Sequence, residues 1–141
     1  MRRARTLSGL VLAAIVIAIT AAACLPPPPA PPAQLKLAPV ALDYGTHPLA
    51  DLMGHMPVIT VTVTNTGSQT VHLDSETSSD GIFSMPTNTC ASASMAPGQS
   101  CSINLQFCPW ATGTATSTLT ITGTTGTGPT SVTANVTGTA T

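Results

Sequence analysis

The chain has 141 residues, four Lys or Arg against five Asp or Glu, 43% hydrophobic residues, 3% aromatic and 6% charged. That length holds one domain. The low net charge and the supply of Val, Ile and Leu exclude a charged disordered tail, and with so few bases no nucleic-acid partner is expected.

The chain opens as an export signal. Arg2, Arg3 and Arg5 form a positive head, Leu10 to Ile19 an apolar run and Thr20 to Ala23 a stretch of small residues that suits cleavage. The apolar run is short for a membrane-spanning helix, which needs about 20 residues, so residues 1–23 read as a signal peptide. Cys24 follows at once, and Ala21-Ala22-Ala23-Cys24 resembles the bacterial lipobox, with Ala21 where that motif usually has Leu. The resemblance implies lipid on Cys24 and a membrane-anchored lipoprotein of the bacterial cell envelope, facing outside the cytoplasm. Two or three acyl chains on one residue make a stable anchor, as one does not. Residues 24–34 carry the run L-P-P-P-P-A-P-P-A, a stiff polyproline spacer of roughly 25 Å. Beyond it Lys36 is the one base, against Asp43, Asp51, Asp74, Glu76 and Asp80.

Residues 35–141 read as short strands between turns, an all-β domain of about seven antiparallel strands. Leu35, Leu37, Val40, Leu42 and Tyr44 mark an opening strand, kinked or switched at Pro39 and ended by Gly45, and residues 46–57 read as loop. From Val58 to Thr64 the alternation is clearest, with Ile59, Val61 and Val63 on one face and threonines on the other. After the Asn65-Thr66-Gly67 turn come a strand with Val71 and Leu73, another starting at Ile82 or Phe83, and Ser102 to Phe107 beyond the Pro97-Gly98 turn. Thr114 to Thr122 and Ser131 to Thr137 close the series around a glycine-rich turn. This spacing predicts a sandwich of two sheets. The last strand is expected at a sheet edge, open to an extended partner.

D-Y-G, V-T-V-T-N-T-G, G-I-F-S, M-A-P-G-Q-S-C-S-I-N-L-Q-F-C-P, T-G-T-A-T-S-T-L-T-I and V-T-A-N-V-T-G-T occur in that order between residues 37 and 139. The series resembles the immunoglobulin-like choice-of-anchor D domains of bacterial surface proteins, which are similar to the ASPM–SPD-2–Hydin sandwiches. The resemblance implies an immunoglobulin-like fold with Tyr44, Phe83 and Phe107 in its core. It also implies a structural or binding module that works through envelope protein or polymer contacts. It implies a Cys90–Cys101 disulfide across the Pro97-Gly98 turn. Cys108 is then the odd thiol: free, an intermolecular link, or a rival partner for Cys90. The chain departs from the pattern in the His- and Met-rich residues 46–57 and at Cys108 and Trp110.

Those departures supply the candidate sites. Trp110 with Cys108 forms a possible partner surface, although a lid over the mouth of the sandwich is the plainer reading of the indole. His47, Met53, His55 and Met56 crowd one loop, and thioethers with imidazole suit Cu(I). A copper-binding protein using Met53, His55 and Met56 is therefore the alternative function. The plainer reading has the methionines filling the open end of the sandwich. His72 is expected to face outward. Asp74, Glu76 and Asp80 lack calcium-loop spacing, so no metal or other cofactor is expected. No zinc-protease, nucleophile-elbow or phosphate-loop motif occurs, and the chain reads as non-enzymatic.

Overall fold

A computed structural model describes residues 34–141. The expected signal peptide, Cys24 and nearly all of the proline spacer lie outside the described residues. The strands are β1 (Leu35–Ala38), β2 (Ala41–His47), β3 (Val58–Asn65), β4 (Val71–Ser78), β5 (Phe83–Asn88), β6 (Ser94–Met95), β7 (Ser100–Phe107), β8 (Gly113–Thr125) and β9 (Gly128–Ala140), with one helical turn, α1 (Leu49–Leu52). One sheet has the order β1-β3-β7-β5 and the other β2-β9-β8-β4-β6. This is the immunoglobulin arrangement, as expected. Nine strands replace about seven because the first is split at Pro39 and two-residue β6 is added. The split moves the chain from one sheet to the other: β1 runs antiparallel to β3 and β2 parallel to β9.

The core follows from the alternation. Val61 and Val63 of β3 and Ile103, Leu105 and Phe107 of β7 meet Leu119 and Ile121 of β8 and Val136 of β9, all fully buried. Each such aliphatic side chain contributes roughly 1.5–3 kcal/mol relative to exposure. Tyr44, Phe83 and Phe107 stack on one another with centroids 5.2–5.7 Å apart, which confirms the expected core aromatics. The outer face of β8 carries Thr114, Thr116, Thr118, Thr120, Thr122 and Thr124 at alternate positions. Hydroxyls thus keep this face wet almost without charge. At the far end from the aromatic rings, buried Asn65 donates to the carbonyls of Gln69 (2.7 Å) and Met95 (2.9 Å) and accepts from Gly67 N (3.0 Å).

Two expectations are corrected. Residues 46–57 are not all loop, because β2 runs on to His47 and Leu49–Leu52 make a helical turn that buries Leu52. The last strand is not an edge, because β9 lies between β2 and β8. Edge β2 is itself blunted. A bulge at Gly45 (φ +71°) breaks its register, Gly45 N donates to Asp43 Oδ1 (2.9 Å), and His47 Nε2 sits 2.7 Å from Tyr44 O. Edge β5 carries Pro86 and a register shift. Both are devices that discourage edge-to-edge pairing.

Candidate functional site

The aromatic end of the sandwich gathers the features that the core does not account for. Phe107 closes β7 in full burial, and its N–H donates to Pro57 O (3.1 Å), which joins the β7–β8 loop to the segment after α1. Cys108 N donates to Ile82 O (2.7 Å) and pins the start of that loop. Pro109 then turns the chain, and Trp110 stands 74% exposed. The expected lid is thus corrected: stacked Tyr44, Phe83 and Phe107 already fill the mouth, and the indole projects beside it. Around Trp110, Ile82, Pro109, Thr112, Thr114 and Ala115 help to line a hollow of about 130 Å³, and no charged side chain is among its lining.

The neighbouring loop shows the same character. Met53 is 83% exposed, Met56 40% and Val58 47%. The methionines therefore do not plug the sandwich, since Leu49 and Leu52 of α1 and the aromatic rings occupy that space. With Trp110 these residues make four of the five large hydrophobics exposed among the described residues, Val40 being the fifth. All four lie at the end opposite Gln34, whose carbonyl accepts from Thr66 N (2.8 Å) beside Asn65. Gln34 thus lies at one end of the domain and these exposed apolar side chains at the other.

The remaining candidates fall elsewhere. Cys90 and Cys101 form the disulfide. Cys108 is a half-buried free thiol with Sγ 3.4 Å from Ser84 Oγ. His47 places Nε2 against Tyr44 O, while His55 is exposed. His72 faces out, as expected, and its Nδ1 meets Ser94 Oγ. The carboxylates are dispersed: Asp74 accepts from Thr124 (2.6 Å), Glu76 from Asn88 (3.0 Å) and Asp80 from Ile82 N (3.1 Å). No group of three His, Cys, Asp or Glu gathers among the described residues. Beneath the site, burial pushes the Tyr44 phenol up to about 12; the Ile59 main chain opposes the shift and Cys108 reinforces it. The sequence reading missed Ile82, Val58, Thr112 and Thr114. Val58 shares the outward face of β3 with Thr60, Thr62 and Thr64, so the alternation that marks the core also marks it as exposed.

No family profile matches the chain, and no curated protein matches it. Solved structures do. The VesB protease of Vibrio cholerae is similar over 75% of this chain at 18% identity and a TM-score of 0.65. This chain spans only 32% of the length of that protease chain. A PapD-like domain of human CEP192 is similar over 99% of this chain and 98% of its own, at 12% identity and a TM-score of 0.57. The YadV chaperone is similar over 75% of this chain and 50% of its own, at 10% identity and a TM-score of 0.50. These likenesses are of fold, and the fold they share with this chain is an immunoglobulin-like sandwich. The first corrects the non-enzymatic reading, because a sandwich like this one forms part of a protease chain.

Proposed function

We propose that this chain is a lipid-anchored module of the bacterial cell envelope, tethered through Cys24 and the proline spacer. On this reading it is related to the choice-of-anchor D sandwiches and holds an envelope protein or polymer at its aromatic end. The observation that carries the reading is the opposition of the two ends. The spacer enters beside Asn65, whereas Trp110, Met53, Met56 and Val58 are exposed at the far end. A tethered domain presents its far end outward, and large apolar side chains left in water there offer a contact surface. Exposed Trp is also enriched among residues that dominate binding energy.

The test has two parts. Intact mass of the protein made in an exporting bacterial host is expected to show loss of residues 1–23 and diacyl or triacyl mass on Cys24; a mass with Met1 retained refutes the anchor. Photo-cross-linking from position 112, beside Trp110, is expected to capture an envelope component that is lost when Trp110 and Met53 are changed to Ala. Equal capture from a probe at Thr66, at the opposite end, refutes the polarity. A second reading, Cu(I) held by Met53, His55 and Met56, is favoured by the exposure of the two thioethers. A Cu(I) titration endpoint that survives the triple alanine variant refutes it.

A further inference from the structure

We infer that the hollow beside Trp110 takes one ring of an uncharged sugar, which makes the held partner a neutral polysaccharide. The inference rests on the reading of the aromatic end as the contact surface and names the chemistry of its ligand. A pyranose presents a face of C–H groups and a rim of hydroxyls. Its C–H face suits the negative π-face of an indole, and its rim needs uncharged donors and acceptors.

Both parts are present. The indole is 74% exposed, beside a hollow that Thr112 and Thr114 help to line. Thr114 Oγ1 shares one bond with Thr139 Oγ1 at 3.0 Å, and a hydroxyl with one bond keeps capacity for others. Charge points the same way. No Asp, Glu, Lys, Arg or His lines the hollow, so an anionic or cationic ligand would lose water there without gaining a counter-charge. Size narrows the choice further. About 130 Å³ is below the roughly 300 Å³ at which sites for drug-sized ligands begin, and it suits a single ring of a chain that continues into solvent. The platform is also fixed. Cys108 N is bonded to Ile82 O and Phe107 N to Pro57 O, Pro109 constrains the backbone before the indole, and Gly113 pairs with Ala140 at the start of β8. Such preorganisation lowers the entropy lost on binding.

Trp110 is the single tryptophan of the chain, so its fluorescence reports the site directly. The mature full-length protein is titrated with cellohexaose and chitohexaose as neutral probes, polygalacturonate as a charged probe and an unrelated extended peptide. A saturable blue shift with a neutral oligosaccharide, unchanged when salt is raised to screen charges, is expected. Calorimetry is expected to show a loss of about tenfold or more with Trp110→Ala and roughly threefold with Thr112→Val or Thr114→Val. Circular dichroism of each variant checks the fold. No response to either neutral probe at millimolar concentration, or a response to polygalacturonate or the peptide alone, overturns the sugar assignment. If cross-linking at position 112 still depends on Trp110 in that case, the contact surface stands and its partner is something other than a neutral polysaccharide. If cross-linking also fails, both readings fall.

Discussion

The phenol of Tyr44 on β2 donates a hydrogen bond to the main-chain carbonyl of Leu105 on β7, so one side chain joins the two sheets. Removing the hydroxyl removes this buried bond between the sheets. Tyr44→Phe is expected to lower stability by about 1–2 kcal/mol, read from urea denaturation at neutral pH.

The same phenol makes stability depend on alkaline pH. Its folded value lies near 12, raised by burial from an ordinary value of 10.0. The stabilisation is complete below the unfolded value and is lost as pH rises through the folded one. The advantage of wild type over Tyr44→Phe is therefore expected to shrink between about pH 10 and about pH 12. Parallel pH profiles for the two proteins would place the hydroxyl in water.

Gly138 lies against the face of Phe107. A Cβ there would come within 2.9–3.1 Å of three atoms of the ring, closer than packed carbons tolerate. Gly138→Ala is expected to cost about 1–3 kcal/mol, and Phe107→Leu in the same chain to recover part of that loss. A strictly additive double mutant would refute the contact.

Asn65 holds the opposite end. Its amide is the buried partner of two carbonyls and its oxygen the partner of Gly67 N. Asn65→Ala is expected to cost roughly 2–4 kcal/mol, more than one ordinary hydrogen bond, because two acceptors lose their donor at once. Asn65→Asp keeps the shape yet sets a carboxylate against two carbonyls, and it is expected to rescue nothing at neutral pH. Thermal denaturation of both variants decides the point.

The Cys90–Cys101 bridge spans a separation of 11 residues. On a chain-entropy account, closing such a loop contributes about 3 kcal/mol. Reduction is expected to lower the denaturation midpoint accordingly, while Cys108→Ser leaves it within about 0.5 kcal/mol because that thiol pairs with no other cysteine. A larger loss with Cys108→Ser would give its contact with Ser84 a structural role.

The faces of β3, β7, β8 and β9 were legible because branched apolar residues alternate with Thr, Ser or Asn, and a strand buried on one face requires that period. The three core aromatics and the bridge were legible through the ordered motifs. Sheet order was not, since alternation shows that Val132, Ala134 and Val136 share a face without showing which strand lies alongside; the parallel β2–β9 pairing came only with the structure. α1 is four residues long and β6 two, too short to display a period. At the site, Trp110 follows a proline in a loop, where exposure depends on what the rest of the fold places nearby. Asn65 read as a turn residue, and its partners Gln69 and Met95 lie on segments that only the folded chain brings to it.

The switch at Pro39 has a mechanical consequence. Residue 34 leaves the domain beside Asn65, while Thr141 is held at the other end by bonds to His47 and Leu49. Tension between these two points drags β2 and β9 past each other along their common direction, across hydrogen bonds set largely crosswise to the pull. Such a patch resists until most of its bonds fail together, whereas a hairpin drawn apart at its mouth opens one rung at a time. The domain is therefore built to carry load applied between residue 34 and Thr141.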